Sequence, residues 1–283
     1  MTFPDFDPVL FSIGPFALRW YALAYVAGIF GGWAYGVYLS RTARLWDHRG
    51  PTLDRAQIDD LILWIALGVI LGGRLGSVLF YHPDMVWRDP LRILAIWEGG
   101  MAFHGGLIGV TLALVWFARR NKVDLFRLGD IVAPCVPMAL FFGRIANFVN
   151  GELWGRVTDA PWGVVFCNRT IRETFNGCPA GLLPRHPSQL YEAALEGIVL
   201  FLILLWATHV AKWLRLRGAV AGLFLLGYGV FRVATEFVRE PDSHLPEFLR
   251  GYVTMGLLLS VPMILIGAWL IWRAHREGAP NPA

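Results

Sequence analysis

The sequence is poor in charged residues and in cysteine. Only 16% of its 283 residues are charged, whereas soluble proteins average about 25%, so an ordinary soluble domain is excluded. Its three cysteines and seven histidines show no zinc-type spacing. The sequence also lacks a P-loop, a Gly-rich dinucleotide motif, a GxSxG motif and an internal repeat. These absences argue against the common nucleotide-binding, serine-hydrolase and zinc-site classes.

Long apolar runs dominate what is present. Hydrophobic residues make up 56% of the chain and the mean hydropathy is +0.50. Seven runs reach the roughly 20 residues that a membrane-spanning helix needs. We therefore predict an all-α polytopic membrane protein with seven transmembrane helices, in which residues 1–283 form a single membrane-embedded domain. The predicted spans are residues 18–40, 58–81, 99–118, 128–148, 189–210, 219–237 and 253–272.

Basic residues concentrate in alternate connections, which the positive-inside rule assigns to the cytoplasm. They are Arg41, Arg44, Arg49, Arg55, Arg119, Arg120, Lys122, Arg127, Lys212, Arg215, Arg217, Arg273 and Arg276. This bias predicts an outer N-terminus and a cytoplasmic C-terminus. It also accounts for most of the net charge of +4, which we do not interpret as nucleic-acid binding. The N-terminal stretch has no basic region or small-residue cleavage site, so no cleaved signal peptide is expected.

The longest connection, residues 149–188, is predicted to form a small periplasmic head subdomain between spans four and five. It contains Cys167 and Cys178, and disulfides persist outside the cytoplasm. A bridge between these cysteines is therefore predicted. Two unpaired cysteines are the alternative, because spacing alone does not fix pairing.

Polar residues inside the predicted spans are informative because ionisable groups at membrane depth are costly and usually functional. With the predicted topology, they fall in the outer halves of six spans. They are Tyr21, Arg74, His104, Arg144, Asn147, His186, Gln189, Tyr191, Glu192, Arg232, Glu236 and Arg239. Convergence at one depth predicts a shared polar cavity that faces the outer side. A structural ion-pair network is an equally plausible role for Arg74, Arg232 and Glu236.

The spacing of these residues adds a chemical expectation. Arg232, Glu236 and Arg239 are spaced at i, i+4 and i+7, which places them on one face of a continuous helix. Two arginines and one glutamate keep net positive charge after pairing. An anion is the expected ligand, and the planar guanidinium suits phosphate.

The stretch GRIANFVNGELWGR, residues 143–156, closes the fourth span. Arg144, Asn147 and Gly151 share one helical face if the helix persists, whereas Asn150, Gly151 and Glu152 favour its end there. Glycines beside a membrane helix permit close helix contact or let a ligand reach the backbone, and both readings also apply to Gly105 and Gly106.

Five stretches together carry a resemblance. They are RWYALAY (19–25), HGGLIG (104–109), GRIANFVNGELWGR (143–156), RHPSQLYE (185–192) and FVREPD (237–242). In this order they resemble the bacterial phosphatidylglycerol:prolipoprotein diacylglyceryl transferases, although Ala146 replaces a glycine found in many members. The resemblance implies a multi-pass enzyme of the bacterial inner membrane whose active site faces the outer leaflet. Such an enzyme moves the diacylglyceryl group of phosphatidylglycerol to the lipobox cysteine of a prolipoprotein, so that a thioether forms and glycerol phosphate leaves.

The resemblance also implies roles for single residues. The matching motif positions are Tyr21, His104, Arg144, Asn147, Glu152, Gly155 and Arg239. We predict that His104, Arg144, Arg239 and Tyr21 are catalytic, and Arg144 also binds the phosphate. Further substrate-binding candidates, from motif or location, are Asn147, Glu152, Gly155, Gly105, Gly106, Gln189, Glu192, Arg232 and Glu236.

Two assignments of the thiol base remain open. In one, His104 accepts the proton, because neutral imidazole is a suitable base near pH 7. In the other, Arg239 or Tyr21 lies near the thiol and His104 positions the lipid. No cofactor or metal ion is expected, because two arginines supply the positive charge and no carboxylate cluster has magnesium-type spacing.

Two other function classes fit part of the pattern. A transporter of an anionic solute or lipid also uses intramembrane arginines, but it commonly has a repeat and polar groups toward both faces. A different phospholipid-headgroup transferase would need the same site chemistry, so only the motifs argue against it.

Overall fold

The computed structural model describes residues 1–5, 9–13, 16–95, 100–240 and 255–278. The chain is mainly helical. Its α-helices are α1 Trp20–Arg41, α2 Arg55–Tyr81, α3 Met85–Arg88, α4 Phe103–Arg120, α5 Leu125–Val132, α6 Val136–Val149, α7 Arg169–Phe175, α8 Ser188–Glu192, α9 Leu200–His209, α10 Ala219–Glu236 and α11 Met255–Gly278. Short 3₁₀ turns cover Ala43–Leu45, Pro90–Leu94, Ala133–Cys135 and Trp213–Arg215, and a π-helical segment covers Ala193–Val199.

Six helical stretches of the described chain are long and apolar enough to cross a membrane. They are Trp20–Arg41, Arg55–Tyr81, Leu125–Val149, Ser188–His209, Ala219–Glu236 and Gly256–Glu277. Six of the seven predicted spans are thereby confirmed by length and composition, although residues 253 and 254 of the last lie outside the described residues.

The remaining predicted span, residues 99–118, corresponds to α4, apart from residue 99, which lies outside the described residues. The 18 residues of α4 include His104 and end on Arg119 and Arg120. These polar residues lower the mean hydropathy of the helix, and α4 is not among the six candidate spans. The seventh span therefore stays a prediction.

A β-hairpin precedes the first span. Strands β1, Val9–Ile13, and β2, Phe16–Arg19, pair antiparallel, with Phe11 opposite Leu18. The predicted all-α class does not include this hairpin, and the first helix begins at Trp20 rather than at residue 18. Apolar residues lie on both sides of Arg19, in β2 and in α1, so hydropathy alone does not separate strand from helix.

The long connection after α6 has a small core of its own. Phe3, from the N-terminal segment, packs there against Phe148 and Phe166, with ring centroids 5.3 and 5.1 Å apart. Val164, Phe166, Ile171 and Ala180 complete the buried group. Cys167 and Cys178 form the predicted disulfide, which closes a loop around α7.

The chain divides into two compact units, one formed by Met1–Tyr35 with Val132–Ala283 and the other by Gly36–Ile131. In the second unit, α2 and α4 pack through glycines. Built Cβ atoms at Gly72 and Gly76 would lie 2.8 Å and 2.6 Å from the Cα atoms of Gly109 and Gly105. Only the absence of side chains allows this approach, as at small-residue interfaces of membrane helices. Gly105 therefore has a packing role.

Gly72→Val is expected to destabilise the protein by at least about 1–3 kcal/mol, the usual cost of overpacking. The added side chain meets the backbone of α4, which cannot move aside without separating the helices. Thermal unfolding in detergent measures the effect. Gly106→Ala is the matched control, because its Cβ would meet only Val69 O at an ordinary 3.7 Å. Equal melting temperatures for the two variants would contradict this account of the packing.

Arg74, on α2 of the same unit, is buried and donates hydrogen bonds to the carbonyl oxygens of Ile93 (2.9 Å, from Nε) and Arg92 (2.6 Å, from Nη2). These bonds hold the Pro90–Leu94 turn against the helix. These hydrogen bonds give Arg74 a role in fixing a connection through backbone carbonyl groups.

Candidate active site

The first unit contains a buried group of charged side chains, here called the arginine–glutamate cluster. Its members come from α6, from the helical stretch Ser188–His209, from α10, and from the segment just after α10. They are Arg144, Glu192, Glu196, Arg232, Glu236 and Arg239. Groups so well removed from water are costly unless they pair with one another.

Glu192 is the centre of this cluster. It is fully buried, and its Oε1 accepts hydrogen bonds from Arg232 Nη1 and Arg239 Nη1, both at 3.0 Å. Its Oε2 lies 3.1 Å from Arg144 Nε. One carboxylate therefore holds three guanidinium groups together.

Arg144 reaches the cluster from α6. Its Nε faces Glu192, and its Nη2 lies 3.6 Å from Glu196 Oε2. These are its ion-pair contacts among the described residues. The side chain is 17% exposed, so part of it remains accessible to an anion.

The second predicted helix face differs from the expectation. Arg232 and Glu236 pair at 2.9 Å on α10, but the helix ends at Glu236, so Arg239 is not on a continuous helical face. Arg239 instead forms an isolated β-bridge with Gly155, and its carbonyl oxygen accepts a 2.9 Å hydrogen bond from Arg156 Nε. The bridge, rather than helix periodicity, brings Arg239 to Glu192.

The predicted excess of positive charge is also corrected. The sequence analysis considered two arginines and one glutamate, but the cluster holds three arginines and three glutamates. Its net charge is zero when every carboxyl is ionised. Glu196, which sequence reasoning missed, accounts for part of this difference. Its position four residues after Glu192 within an apolar stretch was the available signal.

Polar residues of the GRIANFVNGELWGR stretch form a second local network. The helix α6 ends at Val149, and Gly151 adopts a φ of +66°, as expected for a break there. Asn147 Nδ2 donates to Glu152 Oε1 at 2.8 Å, and Gln189 Nε2 donates to the Glu152 carbonyl oxygen at 2.5 Å. Asn147 thus bonds to a carboxylate of the same stretch.

Only glycine fits at position 155, because neighbouring atoms leave no room for a Cβ. A Cβ there would lie 2.7 Å from His186 Cβ and 2.8 Å from His186 O. The Gly155 amide also donates to His186 O at 2.8 Å. The glycine therefore allows the segment that carries Arg239 to approach the start of α8.

Tyr21 lies in the first turn of α1, in the same unit as the cluster, and interacts electrostatically with Glu152 and Arg144. Its hydroxyl is 3.1 Å from that of Tyr25. The remaining predicted site residues, His104, Gly105 and Gly106, lie in the first turn of α4 in the other unit.

Comparisons with known proteins agree with the motifs. A family model described as prolipoprotein diacylglyceryl transferase matches residues 8–273. A protein of Phenylobacterium zucineum is 65% identical over 280 residues, covering 99% of this chain and 96% of that protein. One from Caulobacter vibrioides is 57% identical over 98% of this chain and 96% of its own length, and one from Rhizobium leguminosarum is 52% identical over 99% and 95%. All three are named phosphatidylglycerol–prolipoprotein diacylglyceryl transferases.

Proposed function

The chain belongs to the prolipoprotein diacylglyceryl transferase family, and from this premise we propose that it transfers the diacylglyceryl group of phosphatidylglycerol to the thiol of a lipobox cysteine. The thiol sulfur attacks the carbon of the diacylglycerol unit that is bonded to the phosphate oxygen, and a C–S bond replaces this C–O bond. Glycerol phosphate leaves with the bonding electrons, and the thiol proton passes to a base. The acceptors are prolipoprotein signal peptides.

The observation that carries this proposal is the buried arginine–glutamate cluster, in which the side chain of Arg144 is 17% exposed. The donor's phosphodiester has one negative charge, and the departing monoester approaches two. Guanidinium groups that are already oriented stabilise this added charge more than the ground state, which lowers the barrier. Glu192 supplies the orientation, since it fixes Arg144, Arg232 and Arg239 at 3.0 to 3.1 Å.

The arrangement in the membrane is part of the proposal. With α4 as a seventh span, the basic connections fall on the cytoplasmic side, and the cluster faces the outer leaflet of the inner membrane. The N-terminus is then outside, the C-terminus is cytoplasmic, and residues 149–188 form the periplasmic head. This orientation is consistent with the Cys167–Cys178 disulfide, because such bridges persist outside the cytoplasm.

The thiol needs a base or a positive field, because the thiolate is the nucleophile. His104 is the favoured base. In the alternative, Arg239 or Tyr21 lies near the thiol and lowers its pKa or passes its proton, and His104 positions the lipid. Asn147, Glu152 and Gln189 stabilise the segment after Arg144 through their mutual hydrogen bonds, and Gly155 does so through the bridge to Arg239. Their proposed contribution to substrate binding is therefore to hold the arginines that contact the phosphate.

The purified protein is expected to convert phosphatidylglycerol and a lipobox peptide into a thioether-linked diacylglyceryl peptide and free glycerol phosphate. Mass spectrometry of the peptide and an assay for glycerol phosphate measure the two products. A peptide with serine in place of the cysteine is the control for the acceptor, and phosphatidylcholine is the control for the donor. Release of glycerol phosphate without lipidated peptide would exclude the transfer.

A further inference from the structure

Glu196 is a buried carboxylate to which the proposed reaction assigns no role. It is fully buried on the π-helical segment Ala193–Val199. Its contact with Arg144, at 3.6 Å, is longer than the 2.9 to 3.1 Å contacts of Glu192 and Glu236. Within the described chain, neither of its carboxylate oxygens has a hydrogen-bond partner. Glu196 is therefore the least stabilised anion of the cluster.

The charge balance of the cluster makes this position important. Among the described residues, three guanidinium groups offset three carboxylates, so the cluster is neutral before a ligand binds when every carboxyl is ionised. A bound phosphodiester adds one negative charge in a place shielded from water. Such a charge is strongly unfavourable unless a neighbouring group becomes neutral.

The phosphate and Glu196 also compete for the same partner. Arg144 is the proposed phosphate ligand, and it is the guanidinium that Glu196 contacts. The other groups that interact electrostatically with Glu196 are Glu192 on α8, Tyr228 and Arg232 on α10, and Arg239 beyond α10. Arg232 and Arg239 already donate to Glu192. When an anion binds at Arg144, the positive charge of this guanidinium is shared between the anion and Glu196, so Glu196 loses part of its compensation.

We infer that Glu196 takes up one proton when an anionic phospholipid headgroup binds at Arg144. The proton comes from bulk water and forms an O–H bond on the carboxylate, and no bond of the lipid changes in this step. The neutral acid restores the balance of three positive and three negative charges. Glu196 is thus a positioning residue that sets the charge of the cluster. The choice of phosphatidylglycerol as the anion rests on the proposed function.

Proton uptake by the wild-type protein tests this inference directly. Phosphatidylglycerol is added without an acceptor peptide, so that no turnover occurs, in weakly buffered solution with an indicator dye. We expect about one proton taken up per bound lipid at pH values where free Glu196 is ionised. Phosphatidylcholine, which has no net charge, is the control and should cause no uptake. Lipid binding without proton uptake at any pH would overturn the inference.

The variant Glu196→Gln tests the assignment to this residue. The amide imitates the protonated acid, so proton uptake should disappear and phosphatidylglycerol affinity should no longer depend on pH through this group. In the wild type, affinity should fall up to about tenfold per pH unit once Glu196 is ionised. Infrared difference spectra should show a protonated-carboxyl band on lipid binding in the wild type and none in the variant. Undiminished uptake in folded Glu196→Gln would assign the proton elsewhere.

These results are separable from the proposed function. If the wild type takes up a proton with the lipid but forms no thioether, the proposed transfer fails and the inference stands. If it forms the thioether but takes up no proton, the inference fails alone. Should Glu196→Gln not fold, the wild-type uptake measurement still decides whether binding is coupled to a proton.

Discussion

Replacing Arg144 with lysine is expected to lower kcat by about 10²- to 10³-fold, the usual effect of losing one oriented donor to a developing charge. Lysine keeps the positive charge but not the planar fork. Arg144 directs Nε toward Glu192 and Nη2 toward Glu196, and its proposed third contact is with the phosphate. A single ammonium group cannot keep all three directions. Steady-state kinetics with a lipobox peptide and phosphatidylglycerol measures kcat and KM separately.

The matched control is Arg169→Lys. Arg169 pairs with Glu173 at 2.7 Å, but its side chain is 79% exposed, so the substitution should leave kcat and KM unchanged. If Arg144→Lys kept full kcat, charge without orientation would be sufficient, and the proposed role of Glu192 in orienting the cluster would be wrong.

The membrane helices could be predicted from the sequence because hydropathy is a property of the local segment. Six of the predicted spans match helices that are long and apolar enough to cross a membrane. The β-hairpin was missed because β2 is short and mostly apolar and only Arg19 separates its apolar residues from those of α1. The π-helical segment Ala193–Val199 was missed for a different reason. Gly197 there would place a Cβ 2.7 Å from Phe141 Cβ on α6, a tertiary contact that no local pattern reports.

The candidate site was predictable in its residue types and less so in its contacts. Arg144, Glu192, Arg232, Glu236 and Arg239 were identified because charged groups are unusual in apolar spans. Their partners depend on how separate segments pack, so the central place of Glu192 was not foreseen. Counting charges along one helix face also predicted a positive net charge for the site. The cluster has as many carboxylates as arginines, because two of the carboxylates come from another helix.

Glu192→Gln is expected to lower the free energy of unfolding by about 3–5 kcal/mol, the usual cost of removing one partner from a buried ion pair. Glu192 is fully buried and contacts three guanidinium groups at 3.0 to 3.1 Å. A neutral amide leaves those cations in excess, and its NH₂ group cannot accept from any of them. Titration with a denaturing detergent measures the change in stability. Activity should fall together with stability, because the same carboxylate orients Arg144.

Glu240→Gln is the control that shows whether the loss of stability comes from burial of the ion pair or from the loss of any ion pair. Glu240 accepts a 2.8 Å hydrogen bond from Arg185 Nη1, but its side chain is 49% exposed. Water replaces the lost interaction at such a position, so the cost should stay within about 1 kcal/mol.

A double-mutant cycle of Glu192→Gln with Arg232→Gln should show strong coupling, because each single change leaves the other group buried without its partner. Additive effects in that cycle would mean that the Glu192–Arg232 pair contributes little, and the stability of the cluster would have to come from packing.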